Sequence, residues 1–256
     1  MSGYSIRELM VVLIARELRD GDLAVTGASS LVPVAACMLA QSMHAPNLTM
    51  ISPAGVVNAR PPRLYHSASD GRWCANAEAI NTGYDLFEMS ENGLLDVMFY
   101  GGVQIDRRGN INLTGVSYDE HGRPKFRGPG LANTSFAVVS GRIILFSATH
   151  TKRTFVEKLD FLSAAGHLDG PGARLANGIE TEGPVCCVTP KVVFEFDAEK
   201  NLQVRSLHPG VSQDDVIANT GFELACEGPW PSTIEPTEEE LTVLRTQVDV
   251  SGELAP

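Results

Sequence analysis

The chain has 256 residues, 43% of them hydrophobic, enough for one large α/β domain whose core needs no metal or disulfide. Twenty basic residues against thirty-one acidic ones give a net charge of -11 and a pI near 5.0. No Lys/Arg-rich run is present to neutralise phosphates, which argues against nucleic-acid binding. No stretch approaches the ~18 apolar residues of a membrane span, and MSGYSIRELM lacks a basic-then-apolar signal pattern, so the expected location is the cytoplasm.

The chain opens with an S-x-x-E capping box, Ser5 to Glu8, ahead of LMVVLIARELRD, a helix expected to stop at Gly21. DLAVTGASS then reads as a strand, LVPVAACMLAQSM as a helix and LTMIS as the next strand. After an irregular Gly/Pro-containing stretch come a helical GYDLFEMSEN and the apolar strand LDVMFYGG. In the second half FAVVS and RIILFSA flank Gly141, and CVTPKVVFEFD predicts a hairpin turning at Pro190 and Lys191. LQVRSLHP is a further strand, Ser212 caps SQDDVIANT, and a second capping box, Thr237 to Glu240, opens TEEELTVLRTQV. Strands alternating with helices predict a mostly parallel sheet with helices on its faces, and residues 1–256 read as one domain.

The five cysteines are odd in number and form no CxxC pair. They are expected to be reduced, with Cys186 and Cys187 filling a strand as small hydrophobes. VTGASS resembles a nucleotide turn, but Leu31 and Pro33 stand where a dinucleotide fingerprint needs further glycines, and no Tyr-x-x-x-Lys dyad occurs. His167 and His208 have no partner at metal-ligand spacing, so no metal site is assigned. DVMFYGGVQIDRRGNIN, Asp96 to Asn112, runs a buried strand into Gly101-Gly102, where a ligand can approach the main chain; an ordinary bulge or turn is the alternative. KFRGPGLAN, Lys125 to Asn133, is a second glycine-rich stretch whose N–H groups are expected to hold an oxyanion or phosphate.

GGVQIDRRGNIN, FRGPGLAN, HTKRTFVEKLDFLS followed by HLDGPG, and HPGVSQDDVIANTGFEL resemble, in order and spacing, blocks of the beta subunit of glutaconate CoA-transferase and its relatives. The resemblance extends from about residue 5 to about residue 248. It implies an open α/β fold of the CoA-transferase type and an alpha subunit as partner in a hetero-oligomer, with a heterotetramer fitting the family. Coenzyme A would enter as part of the substrate, with no permanently bound cofactor. Gly101, Gly102, Gly128, Gly130 and Asn133 are the expected CoA-thioester contacts.

In the transferases a beta-subunit glutamate attacks the thioester and carries CoA. Two places compete for it here. Ser90-Glu91-Asn92-Gly93 has the right letters, but it lies directly before LLDVMFYGG and reads as a helix end, whereas the family motif lies well upstream of that strand. By order the motif falls at the end of LTMISPAGVV, where Pro53 takes the glutamate position and Gly55 the glycine. Proline supplies neither a nucleophile nor an N–H. Members without the glutamate resemble acyl-CoA hydrolases that open carbon rings in steroid breakdown, or decarboxylases. For such chemistry Arg127 is the leading candidate, as a bidentate holder of a carboxylate, with a solvated loop charge as the alternative. His150 is the second candidate, as a proton donor or acceptor, against a structural hydrogen bond. Lys152 and Arg153 suit CoA phosphates, the partner or simple surface placement, and a scaffold that only shapes the partner's pocket is the non-catalytic reading.

Overall fold

The computed structural model describes residues 3–28, 30–52, 54–67, 70–130, 134–226 and 228–255. The chain divides into two compact units, Met1–Phe99 with Ile234–Pro256, and Tyr100–Thr233.

In the first unit the helix α1 (Ile6–Ala15) begins at the expected capping box: Ser5 Oγ accepts from the Glu8 N–H and the Glu8 carboxylate accepts from the Ser5 N–H. Every residue from Glu8 to Ala15 is buried. Burial pushes the Glu8 carboxyl up, but hydrogen bonds from Arg245 and Ser5 outweigh it and hold the group below its usual range. The helix ends at Ala15 rather than at Gly21. Glu17 and Leu18 bond back only three residues, to Ile14 and Ala15, and this tighter turn buries Leu18 while Gly21 adopts φ +83°.

Strand β1 (Leu23–Val25) pairs in parallel with β2 (Thr49–Ile51) and with β5 (Val97–Tyr100). The crossover from β1 to β2 is α2 (Leu31–Met43), with the boundaries its sequence predicts. Beyond β2 the sheet turns antiparallel through β3 (Val56–Val57) and β4 (Ala79–Ile80), so the expected irregular stretch carries two short strands. The β2–β3 turn needs Gly55, because φ is +79° there and a Cβ would stand 2.0 Å from the Asn81 carbonyl oxygen. Helix α3 (Gly83–Glu91) leads to β5.

Among the described residues, the strands of the second unit fall into three hydrogen-bonded groups. Strands β6 (Gln104–Asp106) and β7 (Ile111–Asn112) are antiparallel, and β11 (Phe155–Val156) joins β6 in parallel. β8 (Gly115–Tyr118) and β9 (Pro124–Arg127) form a hairpin. β10 (Arg142–Phe146) runs parallel to β12 (Gly183–Val188), which continues antiparallel into β13 (Val192–Phe196) and β14 (Leu202–Leu207). The hairpin predicted around Pro190 and Lys191 is the β12–β13 turn. Phe136–Val139 is a helical turn, α4, and Ala173–Ala176 another, α5. Ser212 caps α6 (Gln213–Asn219), accepting from the Asp215 N–H. No helix among the described residues is long and apolar enough to cross a membrane.

The DRRGN segment is a turn closed by its own aspartate. Asp106 Oδ1 accepts from the Arg108 and Asn110 N–H groups at 2.9 and 3.0 Å, and Gly109 adopts φ +68°. The HLDGPG block folds onto this turn: Asn110 Oδ1 accepts from the Gly166 and Leu168 N–H groups, both at 2.9 Å. These two ordered sequence blocks are therefore halves of one packed feature.

Candidate active site

Arg127 is the last residue of β9, so the stretch expected to be a loop from Lys125 is strand up to that point. Its side chain is exposed, and among the described residues the guanidinium makes no hydrogen bond or ion pair. Gly128 follows because a Cβ there would stand 2.3 Å from the Leu113 carbonyl oxygen, and Gly130 turns the chain at φ +75°. The N–H of Gly128 donates to the Thr114 carbonyl and that of Gly130 to the Leu113 carbonyl, both at 2.9 Å. Pro129 lies between them and has no N–H. The expectation of free donors at 128 and 130 is thus corrected: both are spent on the chain itself. Asn133 lies outside the described residues.

The carbonyls that take up those donors are fixed from beneath. Asn112 is fully buried; its Oδ1 accepts from the Thr114 and Gly115 N–H groups, and its Nδ2 donates to the Gly115 carbonyl and to Gln104 Oε1, the last two at 2.7 Å. Ser163 Oγ accepts from the Leu113 N–H at 2.9 Å. Buried amide side chains with every group satisfied fix one backbone geometry. Sequence reading passed over these residues; the available signal was a polar residue, Asn112, inside an otherwise apolar short strand.

Gly101 and Gly102 lie just beyond β5, where the chain packs closely on neighbouring backbone. A Cβ on Gly101 would come within 3.1 Å of the Phe146 carbonyl oxygen, and one on Gly102 within 2.7 Å of the Gln104 carbonyl oxygen. Close internal packing therefore accounts for both glycines.

His150 is 4% exposed and lies against Phe155 and Phe194, with ring centroids 4.6 and 5.7 Å away. Its Nδ1 is 2.9 Å from Thr189 Oγ1 and its Nε2 is 3.0 Å from Thr220 Oγ1. Thr189 Oγ1 also accepts from the Lys191 and Val192 N–H groups and lies 3.1 Å from the Val192 carbonyl oxygen, to which it donates, and Thr220 Oγ1 donates to the Val216 carbonyl. Burial, reinforced by the nearby Lys191 charge, pushes the His150 pKa down to about 4. The ring is neutral and both of its nitrogens are engaged. His167 and His208 are also buried, each lowered to about 4 by burial. Among the described residues no group of three His, Cys, Asp or Glu side chains could hold a metal ion. Lys152 and Arg153 are exposed.

Glu91 ends α3 with its side chain exposed; Asn92 is the C-cap, and Gly93 closes the turn at φ +69°. Pro53 lies outside the described residues. Its neighbour Ser52 is buried, and Ser52 Oγ accepts from the Val56 N–H at 3.2 Å across the β2–β3 turn.

Residues 7–219 match the family model described as Coenzyme A transferase. The chain belongs to this family. It is 35% identical to the B subunit of 3-oxoadipate CoA-transferase from Pseudomonas knackmussii, over 96% of this chain and 94% of that one. It is 26% identical to the cholesterol ring-cleaving hydrolase IpdB subunit of Rhodococcus jostii, over 85% and 82% of the two chains. The crystal structure of glutaconate coenzyme A-transferase from Acidaminococcus fermentans superposes with a TM-score of 0.88 at 27% identity, covering 100% of this chain and 98% of that one. The α/β, mostly parallel architecture expected from the sequence is the one that this family member has.

Proposed function

We propose that the chain is the beta subunit of a heteromeric enzyme that acts on a carboxylated acyl-CoA thioester, with coenzyme A as part of the substrate. We infer further that it cleaves a carbon–carbon bond with water and forms no glutamyl-CoA intermediate. The observation that carries this reading is Pro53 at the position where the family's resemblance places its nucleophilic glutamate. In such a cleavage water oxygen bonds to a ring ketone carbon and the adjacent carbon–carbon bond breaks. Its electron pair passes to the carbon next to the thioester, which is then protonated. The part assigned to this chain is Arg127, an exposed guanidinium without a partner among the described residues, which can hold a substrate carboxylate by two parallel hydrogen bonds. The base is assigned to the alpha subunit, since His150 is neutral, buried and fully bonded.

A second reading has its own support: the 35% identical relative is a CoA-transferase subunit, whereas the ring-cleaving hydrolase subunit is 26% identical. The two readings separate on trapping. Incubation of the heteromer with acyl-CoA followed by borohydride or hydroxylamine should leave this chain unmodified; a glutamyl-CoA adduct, at Glu91 or elsewhere, refutes the hydrolase. Arg127→Ala in the intact heteromer should lower kcat/KM about a hundredfold, the worth of a charge-assisted bidentate pair. Arg127→Lys should recover only part of that. Unchanged turnover would leave the chain a scaffold.

A further inference from the structure

We propose that Asp160 is a positioning residue that holds the β8–β9 hairpin, and hence Arg127, in the pose that meets the substrate; this rests on the reading of Arg127 given above. Asp160 is exposed, yet it is bonded three times to groups far away in sequence. Its Oδ2 accepts from the Ser117 N–H at 3.0 Å and from Gln104 Nε2 at 3.1 Å, and its own N–H donates to Gln104 Oε1 at 3.1 Å. Gln104 in turn anchors Asn112, which sets the backbone that receives the Gly128 and Gly130 donors.

The grip extends along the segment that Asp160 opens. Ser163 Oγ bonds the Leu113 N–H and lies 2.8 Å from Thr114 Oγ1, and the Phe161 ring packs toward Tyr118 with centroids 6.4 Å apart. Residues 160–163 therefore clasp residues 113–118 at several points. Ser117 makes the clasp more than packing. It sits inside β8 at φ +58°, a left-handed conformation that is costly for a residue with a Cβ, and its N–H is the one Asp160 receives. Ser117 is flanked by Val116 and Tyr118, which pair with Phe126 and Pro124 on β9, and Gly115 pairs with Arg127 itself. If the bond from Asp160 is lost, Ser117 can relax toward the extended region. The register that aims the end of β9 then shifts, while the buried Gln104–Asn112 pair keeps the unit folded.

The test uses the heteromer with its alpha subunit and two probes: carboxymethyl-CoA, a nonreactive thioether bearing a carboxylate, and coenzyme A itself. Calorimetric titration of the wild type should show tighter binding of carboxymethyl-CoA, and Arg127→Ala should abolish that preference. Asp160→Ala should reduce the preference about tenfold, with affinity for coenzyme A and the melting temperature unchanged. Asp160→Asn, whose amide oxygen can accept the same two bonds, should retain it. If the wild type and Asp160→Ala show the same preference while Arg127→Ala has lost it, the positioning role is overturned and the reading of Arg127 stands. Equal loss of both probes together with a lowered melting temperature would make Asp160 merely structural, which also overturns the proposal. A wild type with no preference removes the reading of Arg127 and the proposal with it.

Discussion

His150, His167 and His208 all lie in the second unit, buried and lowered to about 4 against an ordinary value of 6.5, so this unit should weaken in mild acid. The sign follows from proton counting. The unfolded chain binds a proton at each ring below pH 6.5 and the folded one does not, so stability is full above 6.5 and falls as pH drops toward 4. Between pH 7.0 and 5.5 each histidine contributes a loss of ~1.2 kcal/mol, roughly 4 kcal/mol for the three. Glu8 and Glu240, held below the usual carboxylate value of 4.5, act only at lower pH. Asp106, raised by burial, acts in the opposite direction but equally in any variant of His150. Trp230 lies in the second unit and Trp73 in the first, so urea unfolding followed by fluorescence of a Trp73→Phe protein reads the second unit. His150→Phe fits between Phe155 and Phe194 and leaves Thr189 and Thr220 their own carbonyl acceptors. It should cost about 1–2 kcal/mol at pH 7 and cut the pH-dependent loss by about one third. A pH dependence identical to that of the parent would refute the argument. A full loss of turnover in the folded variant at neutral pH would return His150 to the chemistry.

Gly55→Ala should destabilise the first unit by ~2 kcal/mol or more, because the residue needs φ +79° and its Cβ would strike the Asn81 carbonyl; a melting curve unchanged from the parent would contradict this. Cys37, Cys186 and Cys187 are buried, with the Cys37 and Cys187 thiols raised by burial, whereas Cys74 and Cys226 are exposed. A thiol reagent such as DTNB should therefore titrate two groups in the native protein and the other three only on unfolding. Arg245→Ala strips the buried Glu8 carboxylate of its guanidinium and should cost about 2 kcal/mol, visible as a lowered urea midpoint.

Local signals carried far in this chain. Both capping boxes, the limits of α2 and the β12–β13 turn are set by residues within a few positions of one another, and each was readable from its own segment. The early end of α1 was not readable, because the burial of Leu18 outweighs a helical pattern that runs on to Gly21. Family resemblance, more than composition, pointed to the fold and to Arg127. The support beneath Arg127 was invisible because it is assembled across distance: Asp160 meets Ser117 43 residues away and Gln104 56 residues away. The fate of the Gly128 and Gly130 donors was equally hidden. Glycines in sequence announce an accessible main chain, but only the fold shows that two carbonyls fourteen or more residues upstream have already taken those N–H groups.

That internal use of the glycine donors has an evolutionary side. A site built from main-chain N–H groups is inherited with the fold and cannot be retuned by a point mutation. Around this hairpin the main chain at 128 and 130 is occupied, so under the proposed role of Arg127 selectivity would rest with side chains, which a single codon change can alter while the scaffold stays the same.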